Sequence, residues 1–539
     1  MEVNSTTFWA ILPELMGALV DSRWVAIDVE MSGISTGGHF IPPGSTPQAA
    51  YQSVKEAAES YQILQIGFTF CKYNNITSEY ETRTIECPIS PLFPPETGSK
   101  ALTQTLNRRF TTSVLSYAFL RDHNFSFSKM LDSGVPYLSR EEELYVKRRD
   151  IKMLGCDSID ISKLNGQNLQ FYLCNKSRIQ DAVEYTQSRE HICLPVLSPA
   201  GQPFNSFEIQ LIYQILQDDF PFLVTTGVVT DGHLDVVWEN QARMARGRRH
   251  NAEVVNRFIG IRYVFDALAG EEFASKIKQS WIPGGTQNCR IDSLSHNNRQ
   301  GFSCAPDMSQ VEAVFKARSP IIVGHNLFHD LAFIYRTFFG RLPKTLDQFL
   351  STIHKLFPRI IDTKYMFLRG QSHQGQVTTN RSLSELYSIY GERQFPFIRS
   401  TDNFIEKSEN CHHAGHDSAL TMTLFLKQAV YIQSFWSQSR SVPETLYGLR
   451  ESILDEQGEW EKASRRGLAR YAPLRPHQVA SPARDLLPRI EPPLQDSPSQ
   501  RLENYSVKEA TIMPPWSDAF WREFGNKTRI GNAGVVEFK

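Results

Sequence analysis

The stretch Val25-Ala26-Ile27-Asp28-Val29-Glu30-Met31 constrains this chain more than any other. Its composition is that of a buried β-strand, yet it carries two carboxylates. Strand side chains alternate between faces, so Asp28 and Glu30 project from the same side. Two like charges on one face of a core strand repel each other and lose hydration, and both costs need compensation. A divalent cation supplies it most directly. A single pair of acids on one strand carries little weight, so the rest of the chain has to be searched for further ligands and a base.

Two more acids occur in suitable places. Asp330 follows the short apolar strand Pro320 to Gly324 and opens a helix, and Asp417 lies near the start of a long helix read from His413 to Phe435. His412 precedes Asp417 by five residues. Four carboxylates suit a pair of Mg²⁺ ions, because hard cations prefer oxygen ligands and Mg²⁺ shares its shell with phosphate oxygens. Two such ions can stabilise both the attacking and the leaving oxygen of a phosphoryl displacement. A histidine titrating near neutrality can take the proton of the attacking water. Zinc does not fit a set with one histidine and no cysteine.

The motifs are specific enough to name a resemblance. Asp28-x-Glu30, Gly324-His325-Asn326 leading to Asp330, and His412-x-Ala414-x-x-Asp417 resemble the DEDDh 3′–5′ exonucleases. I-D-V-E-M-S-G-I, the strand Ile361 to Lys364, H-x-A-G-x-D from His412, and Gly134 to Glu143 resemble, more narrowly, the poly(A)-specific ribonuclease family, small-RNA 3′-end trimmers included. The resemblance implies an α/β, RNase H-like mixed sheet flanked by helices. It implies Mg²⁺-dependent removal of nucleotides from RNA 3′ ends, as poly(A) shortening or small-RNA trimming, with release of 5′-monophosphates. Asp28, Glu30, Asp330 and Asp417 match the metal ligands for two Mg²⁺ ions, with Mn²⁺ able to substitute, and His412 matches the general base. Lys364 matches a phosphate contact, and Met31 and Ile34 match the pocket for the terminal nucleotide. His325 and His329 are assigned to scaffold or rim. A catalytically weak RNA-binding scaffold and a DNA exonuclease stay open as alternatives, since nothing in the residues reads a 2′-hydroxyl.

Length and composition frame the organisation. At 539 residues the chain exceeds one compact domain. With 41% hydrophobic and 11% aromatic residues it can build a real core. A net charge of -1 excludes a global attraction to nucleic acid, so any phosphate-binding surface is local. Eight cysteines without a C-x-x-C pair argue against a zinc ribbon or a disulfide scaffold and suit a reducing compartment. The run Phe8 to Leu19 reads as a core-facing helix rather than a leader, and no apolar run reaches membrane-spanning length. The expectation is an intracellular protein of cytoplasm, nucleus or both, with no membrane partner. Single-stranded RNA 3′ ends, poly(A) among them, are the expected partner, and a homodimer is a candidate assembly.

Four segments are expected. Residues 1–150 form the first part of an exonuclease domain and 251–436 its second part. Residues 151–250 form an inserted small α+β module of a degenerate nucleic-acid-binding type, with a helix near Phe207 and a hairpin from Leu223 to Trp238. Residues 437–539 form a Pro-rich, largely disordered tail, whose last piece, Trp516 to Phe538, has the aromatics to dock. Leu102 to Leu120 and Ala252 to Leu268 each read as one helix. Arg243, Arg246, Arg248 and Arg249 form a basic cluster, readable as a solvated face, a phosphate contact or a nuclear signal.

Overall fold

The structure is a computed structural model. It describes residues 1–36, 45–95, 99–151, 159–185, 191–196, 204–220, 222–225, 233–238, 251–283, 307–374, 381–402, 413–439 and 512–539. Two compact units emerge. One comprises Met1–Pro95, Asn107–Arg140 and Phe258–Lys539; the other comprises Glu96–Leu106 and Glu141–Arg257.

The strands, in chain order, are β1 (Trp24–Met31), β2 (Ile63–Asn74), β3 (Glu79–Ser90), β4 (Val135–Pro136), β5 (His191–Pro195), β6 (Leu223–Thr225), β7 (His233–Trp238), β8 (Ile321–Gly324), β9 (Ile360–Asp362), β10 (Ile398–Ser400), β11 (Lys527–Arg529) and β12 (Val535–Glu537). The larger unit is built on a seven-stranded sheet of order β10-β3-β2-β1-β8-β9, with β4 beside β3. Strand β2 is antiparallel to β1 and β3, whereas β8 runs parallel to β1 and β9 parallel to β8. A five-strand core in the order third, second, first, fourth, fifth, with only the second reversed, is the RNase H-like arrangement. A short turn joins β2 to β3, a longer connection through the Pro47–Ser60 helix joins β1 to β2, and the parallel strands arrive by long crossovers.

Every residue of β1 is buried, which explains its apolar run: both faces of this central strand are covered. Val25, Ile27, Val29 and Met31 join a core with Leu12, Leu15 and Leu19 of the Phe8–Asp21 helix. Trp24 and Ala26, on the other face, join a second core with Met422, Phe425, Leu426 and Ala429 of the long helix Ala414–Ser439. Asp28 and Glu30 continue that second face towards the end of the strand.

The smaller unit has its own core, in which Phe171 and Ile179 of the Gly166–Tyr185 helix meet Leu211 and Ile215 of Ser206–Asp219 and Leu234 and Val236 of β7. A three-stranded antiparallel sheet, β5-β7-β6, completes it. The Ser206–Asp219 helix starts where its sequence says it should, because Asn205 and Glu208 form a reciprocal capping box.

Two helices expected as continuous are broken. Leu102 to Leu120 divides into Ser99–Leu106 and Val114–Asp122, with Asn107 at a φ of 41° between them. The run from Ala252 is interrupted at Gly260, whose φ is 56° and where an added Cβ would lie 1.8 Å from the Pro136 carbonyl oxygen. Apolar periodicity survives both breaks, so the sequence pattern does not reveal them. The basic cluster at Arg243 to Arg249 lies outside the described residues. No helix among the described residues is long and apolar enough to cross a membrane.

Candidate active site

The Ala414–Ser439 helix runs back along β1, so its first turn reaches the end of the strand where the acids stand. Asp28, Glu30 and Asp417 each offer a carboxylate oxygen, and these oxygens lie within 4.8 Å of one another. All three residues are buried, at 6 to 8% exposure. Around one Mg²⁺ with bonds of about 2.1 Å, opposite ligands stand about 4.2 Å apart. A trio held within 4.8 Å therefore fits a shared hard cation, and its all-oxygen donor set suits Mg²⁺ or Mn²⁺. The helix N-terminus adds a favourable local potential for Asp417, which sits in its first turn.

The helix start is held by side chains from the sheet. The Ala414 amide donates to Gln65 Oε1 at 3.0 Å and the Gly415 amide to Glu86 Oε2 at 3.2 Å. Gln65 stands opposite Glu30 in the β1–β2 register, and Gly67 opposite Asp28. These two first-turn amides, orphaned in any helix, are thus satisfied by β2 and β3 rather than by a local cap. His413 Nδ1 lies 3.6 Å from Glu86 Oε1. The nearby Glu86 carboxylate holds the His413 imidazole above its ordinary pKa, against the opposing effect of burial. Farther along, Thr69 Oγ1 and Ser418 Oγ are 2.9 Å apart. Gly67 is required here: a Cβ on it would meet the Ala414 carbonyl oxygen at 1.8 Å.

On the other side of β1, the turn after β8 is organised by Asp362, which is fully buried at the end of β9. Its Oδ1 accepts from the amides of Asn326 at 3.0 Å, Lys364 at 2.9 Å and Tyr365 at 3.3 Å, and its Oδ2 from Leu327 at 3.2 Å. One carboxylate therefore caps the Thr363–His373 helix and also ties down the turn that leads into the Phe328–Ile334 helix. Asp330 lies in the first turn of the latter helix, buried, and outside the three-carboxylate group. His325 Nδ1 bonds Thr363 Oγ1 at 2.9 Å.

Met31 follows a register shift at Glu30 and is buried in the core with Val29. Ile34 packs partly buried against the same core, and Lys364 is half-buried. His412 lies outside the described residues. Gln65, Gly67, Glu86 and Asp362 are the supporting residues that the motif reading passed over. One signal was available: Gln65, Gly67 and Thr69 recur at period two in an otherwise apolar strand, marking a face that receives something polar.

The sheet order and the acid cluster at the end of its central strand together define a protein of the RNase H-like class with a site suited to a divalent cation. A family model described as CAF1 family ribonuclease matches residues 3–425, and the chain belongs to that family. It is 27% identical over 462 residues to poly(A)-specific ribonuclease PARN of Danio rerio, covering 82% of this chain and 61% of that protein. It is 26% identical over 463 residues to PARN of Homo sapiens, covering 81% and 63%. The pre-piRNA 3′-exonuclease trimmer of Bombyx mori is 22% identical over 447 residues, 79% of this chain and 70% of that one. The match thus spans less than two thirds of the PARN proteins named. The solved structure of S. pombe Pop2p in its Mg²⁺- and Mn²⁺-bound form aligns at 11% identity and a TM-score of 0.35, covering 81% of this chain and 93% of that one.

Proposed function

We propose that this chain is an Mg²⁺-dependent 3′–5′ exoribonuclease that removes nucleotides from RNA 3′ ends, shortening poly(A) or trimming small RNAs, and releases 5′-monophosphates. The observation that carries the reading is the buried trio Asp28, Glu30 and Asp417 with its oxygens within 4.8 Å. Three buried carboxylates at such range repel one another strongly at low dielectric, and a bound cation turns that cost into affinity. The names of the relatives, poly(A)-specific ribonuclease and 3′-exonuclease trimmer, support the substrate class.

In this reading Asp28, Glu30 and Asp417 hold one cation, and Asp330, in the first turn of the Phe328–Ile334 helix, extends the donor set to a second. Bound cations would supply charge stabilisation at the reacting phosphoryl group. His412 removes the proton from the attacking water. Lys364 contacts the phosphate, while Met31 and Ile34 flank the terminal nucleotide.

The test is a time course on 5′-labelled RNAs ending in each of the four homopolymer tails, with Mg²⁺, Mn²⁺ or chelator, beside DNA of the same sequence. A ladder shortening from the 3′ end, absent with chelator and absent in Asp28→Ala and Asp417→Ala, is expected. RNA that is bound but never shortened would instead identify a scaffold, and equal cleavage of DNA would broaden the substrate class.

A further inference from the structure

The family match ends at residue 425, yet residues 512–539 fold into the same unit as the sheet. Phe520, Trp521 and Phe524 complete the core that Trp24, Ile361 and Phe425 share. Asn526 then pairs with the edge strand at three points. Its amide donates to the Ile360 carbonyl at 2.7 Å, its Oδ1 accepts from the Ile360 amide at 2.9 Å, and its Nδ2 donates to the Pro358 carbonyl at 3.0 Å. These bonds occupy the open edge of β9, which would otherwise present unpaired backbone groups. The next strand, β11, pairs with β12 and places Thr528, fully buried, beside Asp362.

The Thr528 hydroxyl donates to Asp362 Oδ2. It reaches that carboxylate from 166 residues away, much farther along the chain than the amides of Asn326, Leu327, Lys364 and Tyr365 that also donate to it. Burial holds the half-buried Arg529 guanidinium below its ordinary pKa, and the charge of Asp362 opposes that shift. A buried carboxylate holds a turn rigidly only when its own oxygens are satisfied and its charge is compensated. The four amides and the Thr528 hydroxyl together satisfy its oxygens, so the C-terminal segment completes the set and brings Arg529 as an opposing charge.

We infer that the C-terminal segment is a positioning element of the active site: Thr528, acting through Asp362, holds the β8 turn that leads to Asp330 and the helix start that carries Lys364. The inference rests on the function proposed above for Asp330 and Lys364. Neither Thr528 nor Asp362 touches substrate in this account.

The test uses the full chain with Thr528→Val, which keeps the shape and removes the hydroxyl, and Thr528→Ser, which keeps the hydroxyl. Val535→Ala, at an exposed position of the same hairpin, is the control for general disturbance. Three quantities are read below the melting range: amide exchange at Asn326, Leu327 and Lys364, Mn²⁺ binding without RNA, and kcat and KM for nucleotide release. Thr528→Val should speed exchange at those amides at least tenfold, weaken Mn²⁺ binding severalfold and lower kcat about tenfold with KM little changed. Thr528→Ser should restore all three to within about twofold. In an Asp362→Asn background, Thr528→Val should add nothing further. Unchanged exchange in Thr528→Val, or equal effects of Val and Ser, overturns the inference. If Thr528→Val does not fold, Thr528→Ala takes its place in both comparisons, with the same results expected and the same results overturning the inference. Exchange also separates the two readings, because it reports on the turn even if wild-type protein releases no nucleotide.

Discussion

Gly67→Ala puts one methyl group where the sheet meets the start of the Ala414–Ser439 helix. An ideal Cβ there lies 1.8 Å from the Ala414 carbonyl oxygen, 2.1 Å from its carbon and 2.6 Å from the Gly415 nitrogen. Those are backbone atoms, so no side-chain rotation relieves the clash. Opening the closest contact to an ordinary separation of about 3.5 Å lifts the helix start by about 1.7 Å. Overpacking of this kind costs roughly 1–3 kcal/mol. The displacement also strains the bonds from Ala414 to Gln65 and from Gly415 to Glu86. Asp417 is three residues beyond Ala414 and moves with it, and a misplacement of about 1 Å in a catalytic constellation can cost on the order of 10²-fold in rate. Nucleotide release at saturating Mg²⁺ should therefore fall about a hundredfold, and the melting temperature should drop by several degrees. Gly17→Ala is the companion: it lies within the Phe8–Asp21 helix and its added Cβ meets nothing within 4 Å. That change should be neutral or stabilising by about 0.5–1 kcal/mol. Wild-type turnover and metal dependence in Gly67→Ala would refute the claim that close helix–strand contact places Asp417.

Two further outcomes follow from the charges at the site. In chelator, Asp28→Asn should melt higher than wild type, because one of three mutually repelling buried carboxylates is neutralised. In excess Mg²⁺ the order should reverse, since a cation at 100 times its Kd stabilises wild type by about 2.7 kcal/mol; differential scanning fluorimetry in both buffers checks this, and a variant that melts lower in chelator counts against the repulsion. His413 has its pKa raised in the folded state by Glu86. Its contribution is therefore fully present below the unfolded value of about 6.5 and is lost as pH rises through the higher folded value. Urea midpoints measured in chelator across that range should fall with pH in wild type, and His413→Gln should flatten the decline; an undiminished slope in the variant assigns it to other groups.

Much of the site was legible in the sequence because its chemistry is local. Asp28 and Glu30 announce themselves by standing two apart in an apolar strand, and Asp417 by its place near a helix start. The β2–β3 pair is equally local, set by strand patterns and one short turn. What one residue does to another hundreds of positions away is a different matter. Nothing in the pattern around Asn107 or Gly260 shows a helix breaking, because both sides keep helical periodicity, and at Gly260 the break depends on the Pro136 backbone packed against it.

The amino-acid sequence by itself determined which groups could bind a cation and that Val25 to Met31 would be a buried strand, since residue type and period two act over a few residues. Only the tertiary structure decided which acids come together: it gathers Asp28, Glu30 and Asp417 and places Asp330 in the first turn of the Phe328–Ile334 helix. It also decided that Gln65 and Glu86 cap the helix that brings Asp417, and that Thr528 reaches Asp362 across 166 residues. Those contacts depend on strand order and helix direction, which arise when the whole core closes rather than from any stretch of the chain taken alone.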